Sequence, residues 1–133
     1  ISGSVLFALN SDELQPEGRQ LLKSLAPPLA AYLGVRDEML MVSGFTDDQP
    51  VRESNRQFAD NLELSAQRAL TVTRALIEEG LPSSAIFAAA FGPEQPVASN
   101  ADPEGRSQNR RVEMAPVPKS AKERTAGSTA PNG

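Results

Sequence analysis

The sequence contains no cysteine, no histidine and no tryptophan. Without these side chains the chain cannot form a disulfide scaffold, a cysteine nucleophile, a Ser-His-Asp triad or most kinds of zinc site. Aromatic residues make up only 5% of the chain, and 13 basic residues face 17 acidic ones, for a net charge of −4. Nucleic-acid binding, which depends on clustered cations and stacking rings, is therefore disfavoured. We expect neither a metal nor a cofactor.

Long hydrophobic runs are also missing. No apolar run approaches the roughly 20 residues that a membrane-spanning helix needs, and no secretory signal peptide opens the chain. Because the chain starts at Ile1 and not at methionine, we expect a processed or partial sequence whose membrane anchor would lie upstream. The composition turns to small and polar residues after the last predicted strand. We therefore predict one domain over residues 1–118 and a disordered tail over residues 119–133.

The hydrophobic pattern of the domain predicts strands separated by helices. The predicted strands cover residues 5–9, 39–45, 86–91 and 109–114, and the predicted helices cover residues 16–34 and 62–79. Asp60, followed by Glu63, is typical of a capped start for the second helix. Pro27 and Pro28 fall inside the first helix, where each removes a backbone donor, so we expect a kink or a break. This order indicates an α/β or α+β sandwich with helices packed on one sheet.

The end of the second predicted strand is the most informative position. Ligands of open α/β sheets often bind beyond the carboxyl ends of strands, and Thr46 and Asp47 lie there. On the next helix Asn61, Ser65 and Arg68 share one face. Asp47 and Arg68 could together hold a ligand that carries an ammonium and a carboxylate. On spacing alone, however, a structural ion pair or two separately solvated charges is the more common explanation.

Three linked motifs resemble the OmpA-like peptidoglycan-binding domain. They are Gly44-Phe45-Thr46-Asp47, then Asn61-Leu62-Glu63-Leu64-Ser65-Ala66-Gln67-Arg68-Ala69, and then Asn100…Gly105-Arg106…Asn109-Arg110-Arg111-Val112-Glu113. The resemblance covers roughly residues 5–115, and it implies the element order β-α-β-α-β-β with a mixed four-stranded sheet. Within the family, Asp47-Asp48-Gln49-Pro50-Val51 is similar to the periplasmic part of flagellar motor stator B subunits (MotB-like).

The resemblance implies a non-enzymatic wall anchor in the periplasm. It implies that Asp47 holds the amine of a diaminopimelate residue in the peptidoglycan stem peptide, and that Arg68 holds the carboxylate of that residue. The pocket would be lined by Thr46, Asn61, Leu64 and Ser65 and supported by Asn109 and by Arg110 or Arg111. The expected partners are peptidoglycan and a second copy of the chain, with the inner membrane reached through an upstream segment. Phe45, Leu62 and Ala90 depart from the usual His, Trp and Gly, which affects the shape of the pocket and not its charge pair.

Three alternatives stay open from the sequence. A glycan-cleaving enzyme could use two of the carboxylates of Asp47, Asp48, Glu63 and Glu104, although no spacing selects a pair. A protein-interaction domain could have kept the fold and lost wall binding. An outer-membrane or secretion-system tether could carry the same motifs as a flagellar stator, and the sequence does not identify the coupling ion.

Overall fold

The computed structural model describes residues 1–51 and 57–119. The elements, in chain order, are α1 (Gly3–Leu6), α2 (Pro16–Gly34), β1 (Glu38–Phe45), α3 (Asn61–Glu78), a 3-10 turn (Ser83–Ala85), β2 (Ile86–Gly92), α4 (Pro103–Asn109) and β3 (Arg111–Pro118). Within these two ranges, none of the helices combines the length and the hydropathy of a membrane span.

The strands form one mixed sheet in the order β2-β1-β3. β1 runs parallel to β2, with Leu40 opposite Ile86, and antiparallel to β3, with Phe45 opposite Arg111. Helix α3 connects the parallel pair and packs against both strands, as a parallel crossover requires. Helices packed on a sheet agree with the predicted class, but the described residues give the sheet three strands and not the predicted four.

The predicted strand at residues 5–9 is wrong. Helix α1 ends at Leu6, and only an isolated bridge from Phe7 to Leu14 follows. Leu6 and Phe7 are both buried, at 0% and 2% exposure. A strand would send these neighbouring side chains to opposite faces, whereas a helical turn followed by an extended residue buries both. A five-residue apolar run by itself does not distinguish these structures.

The predicted break in the first helix is also wrong, because α2 continues through Pro27 and Pro28 to Gly34. Both prolines lie on the exposed side of the helix, while Leu22 and Ala26 are buried on the other side. Each proline leaves one carbonyl, four residues earlier, without a helical donor. Water can bond those carbonyls on the exposed side, so the packed side holds the helix together.

The other predicted elements occur with small shifts. Helix α3 begins with the predicted cap, since Asp60 Oδ1 accepts from the Glu63 backbone N–H at 2.9 Å, and Glu63 Oε1 accepts from the Ala59 N–H at 3.3 Å. β3 starts two residues later than predicted and extends to Pro118. The short helix α4 was not predicted. Of the predicted tail, residues 120–133 lie outside the described residues.

The hydrophobic core lies between the sheet and helices α2 and α3. Its buried members are Leu6, Phe7, Leu22, Ala26, Leu33, Leu40, Val42, Ala69, Val72, Ala75, Leu76, Leu81, Ile86 and Val112. This core holds the N-terminal half of α3 beside the carboxyl end of β1, which is where the predicted site residues lie.

Candidate functional site

A cleft of about 490 Å³ opens at the carboxyl end of β1. It is lined by four separate parts of the chain: Leu9 and Asn10 before α2; Thr46, Asp47, Gln49 and Pro50 after β1; Asn61, Leu64 and Arg68 on α3; and Arg106 and Arg110 at the other wall. The structure therefore brings together five of the six residues predicted to contact the ligand.

Asp47 is buried, at 7% exposure, and is held in a fixed orientation. Its Oδ2 pairs with Arg110 Nη1 at 2.6 Å, and its Oδ1 accepts from the Gln49 backbone N–H at 3.0 Å. Asp47 thus does form an ion pair, but its partner is Arg110 and not Arg68. An ionised carboxylate offers about four acceptor positions, so these two bonds leave room for a ligand cation.

Arg68 is also buried, at 5% exposure, although it lines the cleft. Its Nε donates to the Ser11 carbonyl at 2.8 Å and its Nη2 to the Ala8 carbonyl at 3.2 Å. Burial, followed by the nearby Arg110 cation, lowers the pKa of Arg68 to about 10, so its guanidinium is charged at neutral pH. A guanidinium has five N–H donors, and the donors beyond these two bonds can meet a ligand.

Three more predicted residues lie around the same strand end in different roles. Thr46 Oγ1 donates to the Asp47 carbonyl at 2.8 Å, and Asn61 Nδ2 donates to the Gln49 carbonyl at 2.8 Å, so both shape the loop after β1. Ser65 is fully buried outside the cleft lining. Its Oγ donates to the Leu62 carbonyl and accepts from the Gly92 N–H at 3.0 Å, which joins α3 to the end of β2.

Asn109, predicted as a supporting residue, is buried at the end of α4 and holds the loop that precedes this helix. Its Oδ1 accepts from the backbone N–H groups of Val97 and Ala98 at 2.7 and 3.0 Å. Its Nδ2 donates to the Ala98 carbonyl at 2.9 Å and to Asn100 Oδ1 at 2.8 Å. Asn109 therefore supports the loop from which α4 begins and does not itself contact the cleft.

The sequence left open whether Arg110 or Arg111 supports the pocket, and the structure places Arg110 there. The Arg111 guanidinium instead lies 3.8 Å from the centre of the Phe45 ring, and Arg111 Nη2 donates to the Gln95 carbonyl at 3.0 Å. Phe45 stacks on Phe91 with ring centres 4.9 Å apart. Phe45, Phe91 and Arg111 lie outside the cleft lining, so the replacement of the usual His by Phe45 leaves the charged groups of the cleft unchanged.

Arg106 is a cleft residue that the sequence prediction missed. It precedes Arg110 by four residues, and its Nη1 donates to the Asn100 carbonyl at 3.0 Å. The four-residue spacing on a helix would have been a usable signal, but the α4 segment was predicted as a loop. With Arg106, the described lining carries three arginines and one aspartate, which favours a ligand with negative charge.

The chain matches the OmpA family over residues 6–110 and belongs to that family. It is 41% identical over 124 residues to Motility protein B of Bacillus subtilis, covering 92% of this chain and 46% of that protein. It is 34% identical over 112 residues to the peptidoglycan-binding protein ArfA of Mycobacterium tuberculosis, covering 84% of this chain and 32% of the relative. The chain thus spans less than half the length of each of these relatives.

Solved structures show the same fold. The periplasmic domain of Helicobacter pylori MotB superposes with a TM-score of 0.80 at 26% identity, over 96% of this chain and 77% of that one. The cell wall anchor of the T6SS from Pseudomonas aeruginosa gives a TM-score of 0.72 at 32% identity, over 88% of this chain and 77% of that one. These findings confirm the predicted family and its MotB-like character.

Proposed function

We propose that this domain binds peptidoglycan without catalysis, through the diaminopimelate residue of the stem peptides. The observation that carries the proposal is the cleft that joins a buried carboxylate, Asp47, to a buried guanidinium, Arg68. Membership in the OmpA family and likeness to a protein named for peptidoglycan binding support the same ligand.

The chemistry of the ligand matches the cleft. The side-chain end of a diaminopimelate residue that is not cross-linked carries one ammonium and one carboxylate. Asp47 would accept from the ammonium through its unused lone pairs, while its pairing with Arg110 keeps the carboxylate oriented. Arg68 would donate to the carboxylate. Because both groups are largely shielded from water, their attraction to the ligand is stronger than between exposed charges.

Glycan cleavage finds less support in the same geometry. Two-carboxylate hydrolysis needs an acid and a base on opposite sides of one bond. Of the four carboxylates considered from the sequence, Asp47 alone lines the cleft in the described residues. Glu63 caps α3, and Asp48 and Glu104 are exposed. A binding module fits this arrangement better than a hydrolase.

Anchoring a flagellar motor stator is the most specific role we propose. The likeness to Motility protein B and to MotB periplasmic domains supports it. In this role the domain would lie in the periplasm, act as a homodimer and be tethered to the inner membrane by a segment outside this sequence. The likeness to the T6SS cell wall anchor supports a secretion-system tether as the second candidate. Both roles use the same wall-binding cleft.

Co-sedimentation with purified diaminopimelate-type peptidoglycan tests the proposal. We expect the wild-type chain to pellet with the wall, and Asp47→Asn and Arg68→Lys to bind about tenfold or more weakly. Asp47→Asn removes the negative charge that faces the ligand ammonium, and Arg68→Lys keeps its charge but loses the forked donors of the guanidinium. Asp48→Asn and Arg74→Lys are the matched controls, since both residues are exposed and lie outside the cleft lining.

Circular dichroism and urea unfolding must show that each variant is folded. Wild-type protein that stays in solution at every wall concentration would contradict wall binding itself. Site variants that pellet as well as the two controls would instead show that the ligand binds elsewhere on the domain.

A further inference from the structure

We propose that the cleft recognises a second carboxylate of the stem peptide and that Arg106 binds it. This inference rests on the proposed function, because it assumes that diaminopimelate occupies the pair formed by Asp47 and Arg68. Beyond the proposed function, Arg106 becomes a residue that determines specificity. The ligand becomes a stem peptide with two free carboxylates within reach of one cleft.

The cleft carries more positive than negative charge. Three guanidinium groups and one carboxylate line it. The ion pair between Arg110 and Asp47 accounts for one of each sign. Among the described residues, no carboxylate lies within the 4.0 Å of an ion pair from either Arg68 or Arg106. Two arginines of one cleft are thus left for anionic groups of a ligand.

The side-chain end of diaminopimelate by itself does not offset this positive excess. The side-chain end of diaminopimelate is neutral overall, with one ammonium for Asp47 and one carboxylate for Arg68. Its binding would leave the excess positive charge of the cleft unchanged. A second carboxylate on the same peptide would pair with Arg106 and reduce that excess, so a stem peptide that carries one should bind more tightly than a stem peptide in which it is blocked.

The position of Arg106 makes this contact available. Its Nη1 donates to the Asn100 carbonyl at 3.0 Å, which restrains the side chain while leaving other donors of the guanidinium to point elsewhere. Helix α4, which carries Arg106, is fixed at its start because Asp102 Oδ1 accepts from the Gly105 N–H at 2.7 Å. The loop before it is held by Asn109. Arg106 is therefore a positioned cation and not a freely moving surface side chain.

Two carboxylates of a stem peptide could fill this position. One is the α-carboxylate of the γ-linked D-glutamate that precedes diaminopimelate. The other is the main-chain carboxylate of diaminopimelate, which is free only when the stem ends at that residue. Both present the same group to a guanidinium, so amidation of each in turn separates them.

The experiment compares three tripeptides, L-Ala-γ-D-Glu-diaminopimelate with both carboxylates free, with the glutamate α-carboxylate amidated, and with the diaminopimelate main-chain carboxylate amidated. Calorimetric or NMR titration of the wild-type chain should show about a tenfold loss of affinity for one of the two amides. In Arg106→Gln that difference should disappear, whereas Arg74→Gln, which removes an exposed cation outside the cleft, should retain it.

The outcomes separate this inference from the proposed function. If the wild-type chain binds all three tripeptides equally, recognition of a second carboxylate is wrong while diaminopimelate binding stands. The same conclusion follows if amidation weakens binding to wild type and to Arg106→Gln by the same factor. If none of the three tripeptides binds, the proposed function itself fails. The tripeptide series on wild type requires no variant to fold.

Discussion

At the scale of single residues, neighbouring arginines have unlike roles because their side chains point to opposite sides of an extended chain. Arg110 reaches into the cleft and pairs with Asp47, whereas Arg111, one residue later, lies over the ring of Phe45. Successive residues of an extended chain point to opposite sides. The antiparallel pairing of Arg111 with Phe45 decides which side each one takes. The sequence shows that two arginines are present but not which of them meets the carboxylate.

Tyr32 offers a test of local electrostatics, since it is the only tyrosine of the chain. Its hydroxyl donates to Glu38 Oε1 at 2.7 Å, and this hydrogen bond raises the pKa of Tyr32 above its ordinary value of 10.0. Titration followed by phenolate absorbance should give a midpoint above 10 in the native protein. Glu38→Gln should bring the midpoint back toward 10, because the charged acceptor is removed.

The sign of the associated change in stability follows from the raised pKa. The folded chain keeps the Tyr32 proton at a pH where the unfolded chain has released it, so the stabilisation is complete below pH 10.0 and is lost as the pH rises through the folded-state pKa. As the pH rises from 10.0 through the folded-state pKa, the free energy of unfolding measured with urea should therefore fall more steeply in wild type than in Glu38→Gln. Equal titration midpoints for the two proteins would contradict the hydrogen bond.

At the scale of elements, the contact between β1 and α3 depends on the absence of a side chain at Gly44. A Cβ atom built there would collide with the carbonyl oxygen of Ser65 on α3. Gly44→Ala should lower the free energy of unfolding by about 1–3 kcal/mol, the usual cost of overpacking. Denaturant unfolding measures this directly.

The control for this change is Gly34→Ala at the end of α2, where an added Cβ meets no atom within 4 Å. It should leave the unfolding midpoint close to that of wild type. If the two alanine variants are equally stable, the strand and the helix are further apart than the structure places them.

Elements differ in how well their sequences predict them. β1 and α3 have long, strongly patterned segments with a clear cap or terminator, and both occur within one residue of their predicted bounds. The segment of α1 is too short for its apolar run to show a period. The break predicted for α2 does not occur. Pro27 and Pro28 have a local cost in hydrogen bonding, but the buried side chains on the opposite side of the helix hold it together.

At the scale of the whole molecule, Arg68 joins the N-terminal segment to α3. It bonds the carbonyls of Ala8 and Ser11, which lie 60 and 57 residues away in sequence, and its guanidinium lies 5.0 Å from the centre of the Phe7 ring. The residue predicted to bind ligand is thus also a tertiary connection, and Leu9 and Asn10 of the cleft wall lie between the two carbonyls that it bonds.

We therefore expect Arg68→Ala to lower the free energy of unfolding by about 1–3 kcal/mol, because two carbonyls lose charged donors. Arg68→Lys should lose less, since an ammonium can still bond one carbonyl. Urea unfolding gives the stability, and amide hydrogen exchange should show faster exchange around residues 8–11 in the alanine variant. Unchanged stability together with unchanged exchange would show that Arg68 does not hold this segment.

The sequence by itself determined the family, the class of fold and five of the eleven residues that line the cleft. It could do so because the motifs around Asp47, Arg68 and Asn109 are local strings whose order and spacing are specific. The tertiary structure alone decided that Asp47 pairs with Arg110, that Ser65 joins α3 to the end of β2 and that Arg106 lines the cleft. Each of these depends on which distant backbone segments come within hydrogen-bond distance, and hydrophobic packing of the whole chain sets those distances.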